Sequence, residues 1–194
     1  MAHELVTFND LKKELKLDKS TLQEYPVLAV LKPSVEAAIE NFLQRELEYK
    51  ERTEDLYLSR FGTSMVQLKA LPVASVSAVT VTDAYGNTED LTAQEDFRIT
   101  PFGIRLFSNH KDLDISVTYL GGYATPATGS VPGIPKDITR AALLQTVYEY
   151  QKSPNLGAEM VSNEGGSVTY PELGLLKHVK QLLQPHIHPL GMGI

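Results

Sequence analysis

The sequence predicts an α+β protein: a helical bundle packed with a small antiparallel β-sheet and followed by an extended C-terminal tail. Apolar residues recur at helical spacing up to about residue 48 and again from residue 135. Between them, residues 51–123 consist of short runs rich in Val, Ile, Thr and Tyr, separated by turn signals. Prolines and glycines then crowd the stretch from Gln184 to Ile194. These boundaries predict one domain over 1–184, with helices at 7–17, 27–48, 135–152 and 172–184 around a β-rich insertion at 51–123. The tail is 185–194.

The first helix is read from "TFNDLKKELKL", where Thr7 can cap and Asp10 sits three residues on, as in a capping box. The second has the clearest period: Leu28, Leu31, Val35, Ile39, Phe42 and Glu46 step by three or four, with Ala38 and Leu43 widening the stripe. Glu36, Glu40, Gln44 and Arg45 fall mostly opposite, and Pro33 removes a backbone donor, so a break or kink is expected there. In the β region, "DLYLSRF", "MVQLKAL", "VSAVTVTDAYGN", "DFRITPFGIRLF" and "LDISVTYL" read as strands. "AYGN" and "TPFG" are turns between them. Such short, closely spaced strands imply antiparallel pairing. The third helix starts at Pro135 with Asp137 in its first turn, and its apolar residues cover most of the circumference. A helix of that kind needs cover on more than one side, from its own sheet and from something else. "AEMVSNEGGSVTYPELG" reads as a loop or hairpin turning near Gly165–Gly166, and "LLKHVKQLL" as a short amphipathic helix.

The composition narrows the function classes. A formal net charge of −6 argues against wrapping nucleic acid by neutralising phosphates. The absence of cysteine excludes disulfides, thiol catalysis and cysteine-ligated metals. The opening "MAHELVTFND" lacks the basic start and apolar core of a signal peptide, and no apolar run approaches a membrane span. No membrane partner is expected.

Several stretches resemble chemistry without supplying it. "VTYLGGYATPATGSVPGIPKDITRAALL" has the outline strand, glycine pair, helix. It lacks the Lys and Ser/Thr of a phosphate loop, and prolines intervene before the helix. It reads instead as a strand end, an irregular crossing and a proline-started helix. His186 and His188, two apart, could hold a metal from an extended chain, with His178 upstream. No acidic residue is near in sequence, and a Pro/Gly tail is poorly preorganised for a metal. Glu95 and Asp96 are adjacent and read as a turn flank. No Gly-x-Ser-x-Gly elbow occurs. No catalytic residue and no cofactor is expected. Tyr119, Tyr123, Tyr148, Tyr150 and Tyr170 gather near the strand–helix junction and the hairpin, and core packing accounts for each. Interfaces are also enriched in tyrosine, which keeps Tyr150 and Tyr170 open as interface residues.

The order of these features resembles the head–tail connector, or adaptor, family of tailed bacteriophages. "FNDLKKELKL" is similar to its opening helix, and "VEAAIENFLQREL" to its Ala-Ala-x-x-Ile-Glu helix. "LPVASVSAVTVTD" resembles its Leu-Pro-Val-x-Ser-Val strand, and "LLKHVKQLLQPH" its last short helix. The most recognisable element is "ISVTYLGGY" followed by "IPKDITRAALLQTVYEYQ".

The resemblance implies assembly rather than catalysis. It implies a homo-oligomeric ring, usually of twelve copies, beneath the portal protein in the virion neck. Such a ring extends the DNA channel, lets double-stranded DNA pass without sequence-specific binding, and docks the next neck or tail protein. A head-to-tail ring needs two different patches per subunit, and the helix at 135–152 could supply one. An acidic channel wall would let DNA slide. Synthesis in the host cytoplasm follows. A stopper or tail-completion subunit is the nearest alternative, and a metal-dependent enzyme using His186 and His188 a more distant one.

Two segments are expected to make the contacts. Ser153–Pro171 is long for a helix connection and β-prone at "SVTY", which suggests an intersubunit element using Tyr150, Met160, Val168 and Tyr170. In the tail, Ile187, Leu190, Met192 and Ile194 could bury apolar side chains in a portal groove.

Overall fold

The structure is a computed structural model and describes residues 4–59, 63–124, 132–153, 160–163, 166–169 and 174–188. Its contacts divide into a helical unit, formed by the chain up to Gln44 and from Pro135 on, and a β unit beginning at Arg45 and running to Ile134. The α+β class expected from the sequence is present.

In the helical unit, α1 spans Phe8–Leu15. Its cap is the one the sequence suggested. The Asp10 N–H donates to Thr7 Oγ1 at 3.2 Å, and the Thr7 hydroxyl donates to Asp10 Oδ2 at 2.7 Å. After a 3₁₀ turn at Leu22–Glu24, α2 runs Pro26–Leu43 as one helix with Pro33 inside it. Its buried line is Leu28, Lys32, Val35, Ile39 and Leu43. Leu31 and Phe42 flank that line, and Ala38 is exposed.

The helix does not reach residue 48. Gln44 turns left-handed at φ 54° and closes the helix onto Glu40 and Asn41. Glu46 and Glu48 then form isolated bridges with Ala70 and Tyr123, so the apolar period running through Leu47 has changed its secondary structure.

The third helix, α3, spans Lys136–Lys152 and contacts α1 and α2. It also contacts α4, Lys177–Leu183. The buried line Ile138, Ala141, Ala142, Gln145 and Thr146 is small and partly polar. Three helices of its own unit therefore pack on α3, while Leu143, Leu144, Val147, Tyr148 and Tyr150 remain half-buried. The hairpin expected after α3 is present, with β8 (Met160–Asn163) antiparallel to β9 (Gly166–Thr169). The last helix begins later than residue 172. Gly174–Leu176 are not helical, and Leu176 is extended with ψ 147°.

The β unit contains β1 (Lys50–Leu58), β2 (Thr63–Gln67), β3 (Val73–Thr82), β4 (Thr88–Asp90), β5 (Phe97–Thr100), β6 (Gly103–His110) and β7 (Leu113–Gly121). Every strand pairing is antiparallel. The small sheet expected from the sequence is in fact two, ordered β1-β7-β3-β4 and β2-β6-β5. Val79 and Val81 of β3, Phe97 of β5, Ile104 and Leu106 of β6, and Ile115 and Val117 of β7 belong to one buried cluster. The two sheets thus turn their apolar faces onto a common core, and alternate residues of each face outward. The turn after β3 is built by Asp83, whose Oδ1 accepts from the N–H groups of Tyr85 (2.8 Å) and Asn87 (2.9 Å).

Candidate assembly surfaces

The "VTYLGGY" stretch serves a structural purpose. Tyr119 is fully buried. Its hydroxyl accepts from the Ala70 N–H at 2.9 Å and donates to Glu54 Oε1. Burial and that bond to the carboxylate hold its phenol well above the usual tyrosine range. The Glu54 carboxylate also accepts from the Lys69 N–H at 3.1 Å. Gly122 sits at φ +103°, and a Cβ there would lie 2.4 Å from the Glu48 carbonyl oxygen. Backbone bonds run from Gly122 N–H to Pro72 O at 3.0 Å and from Tyr123 N–H to Leu47 O at 2.8 Å. The Tyr123 hydroxyl accepts from Arg45 Nη2 at 3.1 Å, with the guanidinium 5.4 Å from the ring centroid. The glycine pair lets the end of β7 approach the segment that enters β1. The space a Cβ would take at the two glycines is filled by the Ala70 and Glu48 carbonyl oxygens.

The helical unit has two buried polar clusters. Lys32, 5% exposed, has Glu36 at 3.2 Å and Glu4 at 3.4 Å, while the Leu5 N–H donates to Glu36 Oε1 at 2.8 Å. Glu36, read from the sequence as lying on the solvent side, is therefore a structural partner. Gln145, 1% exposed, receives the Leu176 N–H at 3.0 Å and donates to Gly174 O at 3.2 Å and Glu149 Oε1 at 2.8 Å. Its amide fastens the segment that leads into α4.

The residues expected to make contacts divide between described and undescribed positions. Tyr150 is half-buried and lines a cavity of about 520 Å³ with Glu14, Leu15, Val27 and Gln151. Met160 and Val168 lie on β8 and β9. Tyr170, Leu190, Met192 and Ile194 lie outside the described residues. Ile187 is half-buried, just after a 3₁₀ turn at Gln184–His186. His188 is 3% exposed, and its N–H donates to Leu43 O at 2.8 Å. The first residues of the tail are thus part of the helical unit.

His186 Nε2 lies 3.6 Å from Asp137 Oδ2, a carboxylate remote in sequence that the sequence reading did not pair with it. Among the described residues no group of three or more His, Asp or Glu side chains could hold a metal ion. Also among them, no helix is long and apolar enough to cross a membrane.

The exposed face of β5 and β6 is not marked as a site by any motif in the sequence. Arg98 stands directly opposite Arg105, with Phe107 beyond, 53% exposed. Alternation of Arg105 and Phe107 with the buried Ile104 and Leu106 along β6 was the signal that could have found it.

Two buried polar clamps, a sandwich-like β unit and exposed sheet faces define a scaffold that presents surfaces. The model of the head completion protein family matches residues 4–188, and the chain belongs to that family. The resemblance to phage head–tail connectors read from the sequence is borne out at this level. No curated protein matches the chain. Among solved structures it is similar to a chain in the neck of an empty gene transfer agent particle, at 19% identity and TM-score 0.55, covering 90% of this chain and 87% of that one. It is likewise similar to a chain in the virion of a native gene transfer agent particle, at 19% identity and TM-score 0.56, with the same coverage.

Proposed function

We propose that this protein is a structural component of the virion neck, a connector that forms a homo-oligomeric ring beneath the portal. The ring extends the DNA channel and docks the next neck or tail protein. The family match over 4–188 carries this reading. The fold shared with chains of a gene transfer agent neck and virion supports it. Residues 1–184 act as one connector domain, because α1 and α2 obtain their partner α3, and α3 its partner α4, only after the chain has returned from the β unit. The role is architectural, with no cofactor.

The hairpin carrying Met160 and Val168, with Tyr150 and Tyr170, touches a neighbouring copy. The tail beyond His188 reaches the portal. The test is the mass of the assembled protein, alone and with portal protein. A ring that joins the portal supports the reading. A chain that stays monomeric in purified portal-containing particles overturns it. Binding to the tail tube instead of the portal would assign it to a stopper or tail-completion role.

A further inference from the structure

The β unit carries charges of opposite sign on its two outer faces. On the four-stranded sheet, Glu51 and Asp55 of β1, Asp114 of β7 and Asp90 of β4 are exposed and alternate with core positions. The rest of that face is mostly hydroxyl. Thr53 and Thr118 share a 2.9 Å hydrogen bond, Ser77 donates to Glu51 at 3.0 Å and Thr80 to Asp90 at 2.8 Å. No lysine or arginine stands among its outward positions, and among the described residues none of these four carboxylates has a cationic partner.

The three-stranded sheet is the converse. Arg105 of β6 lies directly between Arg98 of β5 and Met65 of β2, with Phe107 two positions on. Ser64, Arg98, Arg105 and Phe107 line an open pocket of about 350 Å³. Like charges placed directly opposite on a sheet destabilise it. Neither arginine is paired with a carboxylate among the described residues. The isolated fold gains nothing from this arrangement, whereas an anionic partner would.

We propose that the two outer faces are the two halves of a head-to-tail contact between neighbouring copies of this chain. The assignment rests on the ring proposed above and names the surfaces that build it. Charge complementarity selects the occupant. The basic, aromatic face of one copy meets the acidic, hydroxyl-rich face of the next. A two-fold contact would set like charge against like and is disfavoured. A contact through opposite faces of one unit repeats the same operation from copy to copy, and a small rotation at each step closes a ring. Phe107 and Met65 supply apolar area at the centre, where charge alone would be screened by salt.

The test uses the full-length chain with charges reversed on one face at a time. Arg98→Glu with Arg105→Glu makes both faces acidic, and Glu51→Lys with Asp55→Lys and Asp114→Lys, which leaves Asp90 of the four acids, makes both basic. Each variant alone should shift from ring mass to monomer mass, and an equal mixture of the two should recover rings of alternating copies. Because the chain has no cysteine, a Phe107→Cys, Asp55→Cys variant gives a second measurement that does not depend on charge. Mild oxidation should produce a ladder of linked copies, while either cysteine alone gives no ladder. Rings of normal mass from both reversed variants, or no ladder from a variant that still forms rings, would overturn the proposal while leaving the ring itself intact. Intact rings that have lost only DNA retention would assign Arg98 and Arg105 to the channel and equally overturn it. Failure of the unmodified chain to form rings would remove the ring and this contact together.

Discussion

The buried hydroxyl of Tyr119 closes on the backbone of Ala70, 49 residues away in sequence, with its oxygen 2.9 Å from the Ala70 nitrogen. Through the same hydroxyl it reaches Glu54, so one side chain of β7 satisfies groups on two other segments. Tyr119→Phe keeps the ring and removes both bonds. It should destabilise the β unit by about 1–3 kcal/mol, because a buried N–H loses its acceptor. Urea unfolding followed by tyrosine fluorescence measures it.

The same residue gives a pH dependence. Burial first, then the bond to Glu54, raises the phenol's pKa in the folded protein. An unfolded tyrosine ionises near pH 10. The stabilising difference is therefore fully present below about pH 10 and is lost as pH rises above it, where the unfolded chain sheds the proton first. Stability of the unmodified protein should fall more steeply between about pH 10 and 11 than that of Tyr119→Phe. Parallel slopes would show that Tyr119 is not the group responsible.

Gln145→Leu preserves helix propensity in α3 but abandons the Leu176 N–H and the Gly174 carbonyl. A loss of about 1–3 kcal/mol is expected, concentrated in the segment entering α4. Amide exchange should report it locally, with Leu176 losing protection before the amides of α2. Gln145→Glu keeps the acceptor for Leu176 but sets a second carboxylate near Glu149, and should lie between the two.

Lys32→Ala leaves Glu36 partly buried without its cation. The cost for a fully buried pair broken on one side is about 3–5 kcal/mol, and the exposure of Glu4 places this site at or below the lower end. Glu36→Gln retains an acceptor for the Leu5 N–H and should cost less than Lys32→Ala. Thermal unfolding of the two variants side by side decides the order.

These positions show where the sequence was readable. The Thr7 cap was legible because both partners lie within one turn. The strand runs were legible because alternation is local. Lys32 and Glu36 were not, since their burial depends on Glu4 and Leu5 returning across α2. The division into two sheets escaped because β6 pairs with β2 and β5 while β7 pairs with β1 and β3, which no local pattern encodes. The end of α2 was misplaced because Leu47 continues the apolar period after the left-handed Gln44 has ended the helix. Asp137 and His186 meet only once α3 and the last turn have folded.

The position of His188 sets where the proposed tail contact can be tested. Truncation after Leu183 would remove a buried side chain and the bond to Leu43 O, and would confuse folding with docking. Truncation after His188 leaves those in place and removes Leu190, Met192 and Ile194. Each of these, if fully buried in a portal groove, contributes about 1.5–3 kcal/mol. Ordering the backbone opposes this by about 1–2 kcal/mol per residue. One tail therefore binds weakly, and docking becomes firm only when many tails act from one ring. The shortened chain should unfold at the same temperature as the full chain, form rings of the same mass, and lose portal affinity by about tenfold or more. Loss of ring formation would move the tail into the contact between copies, and undiminished portal binding would free it of any anchoring role.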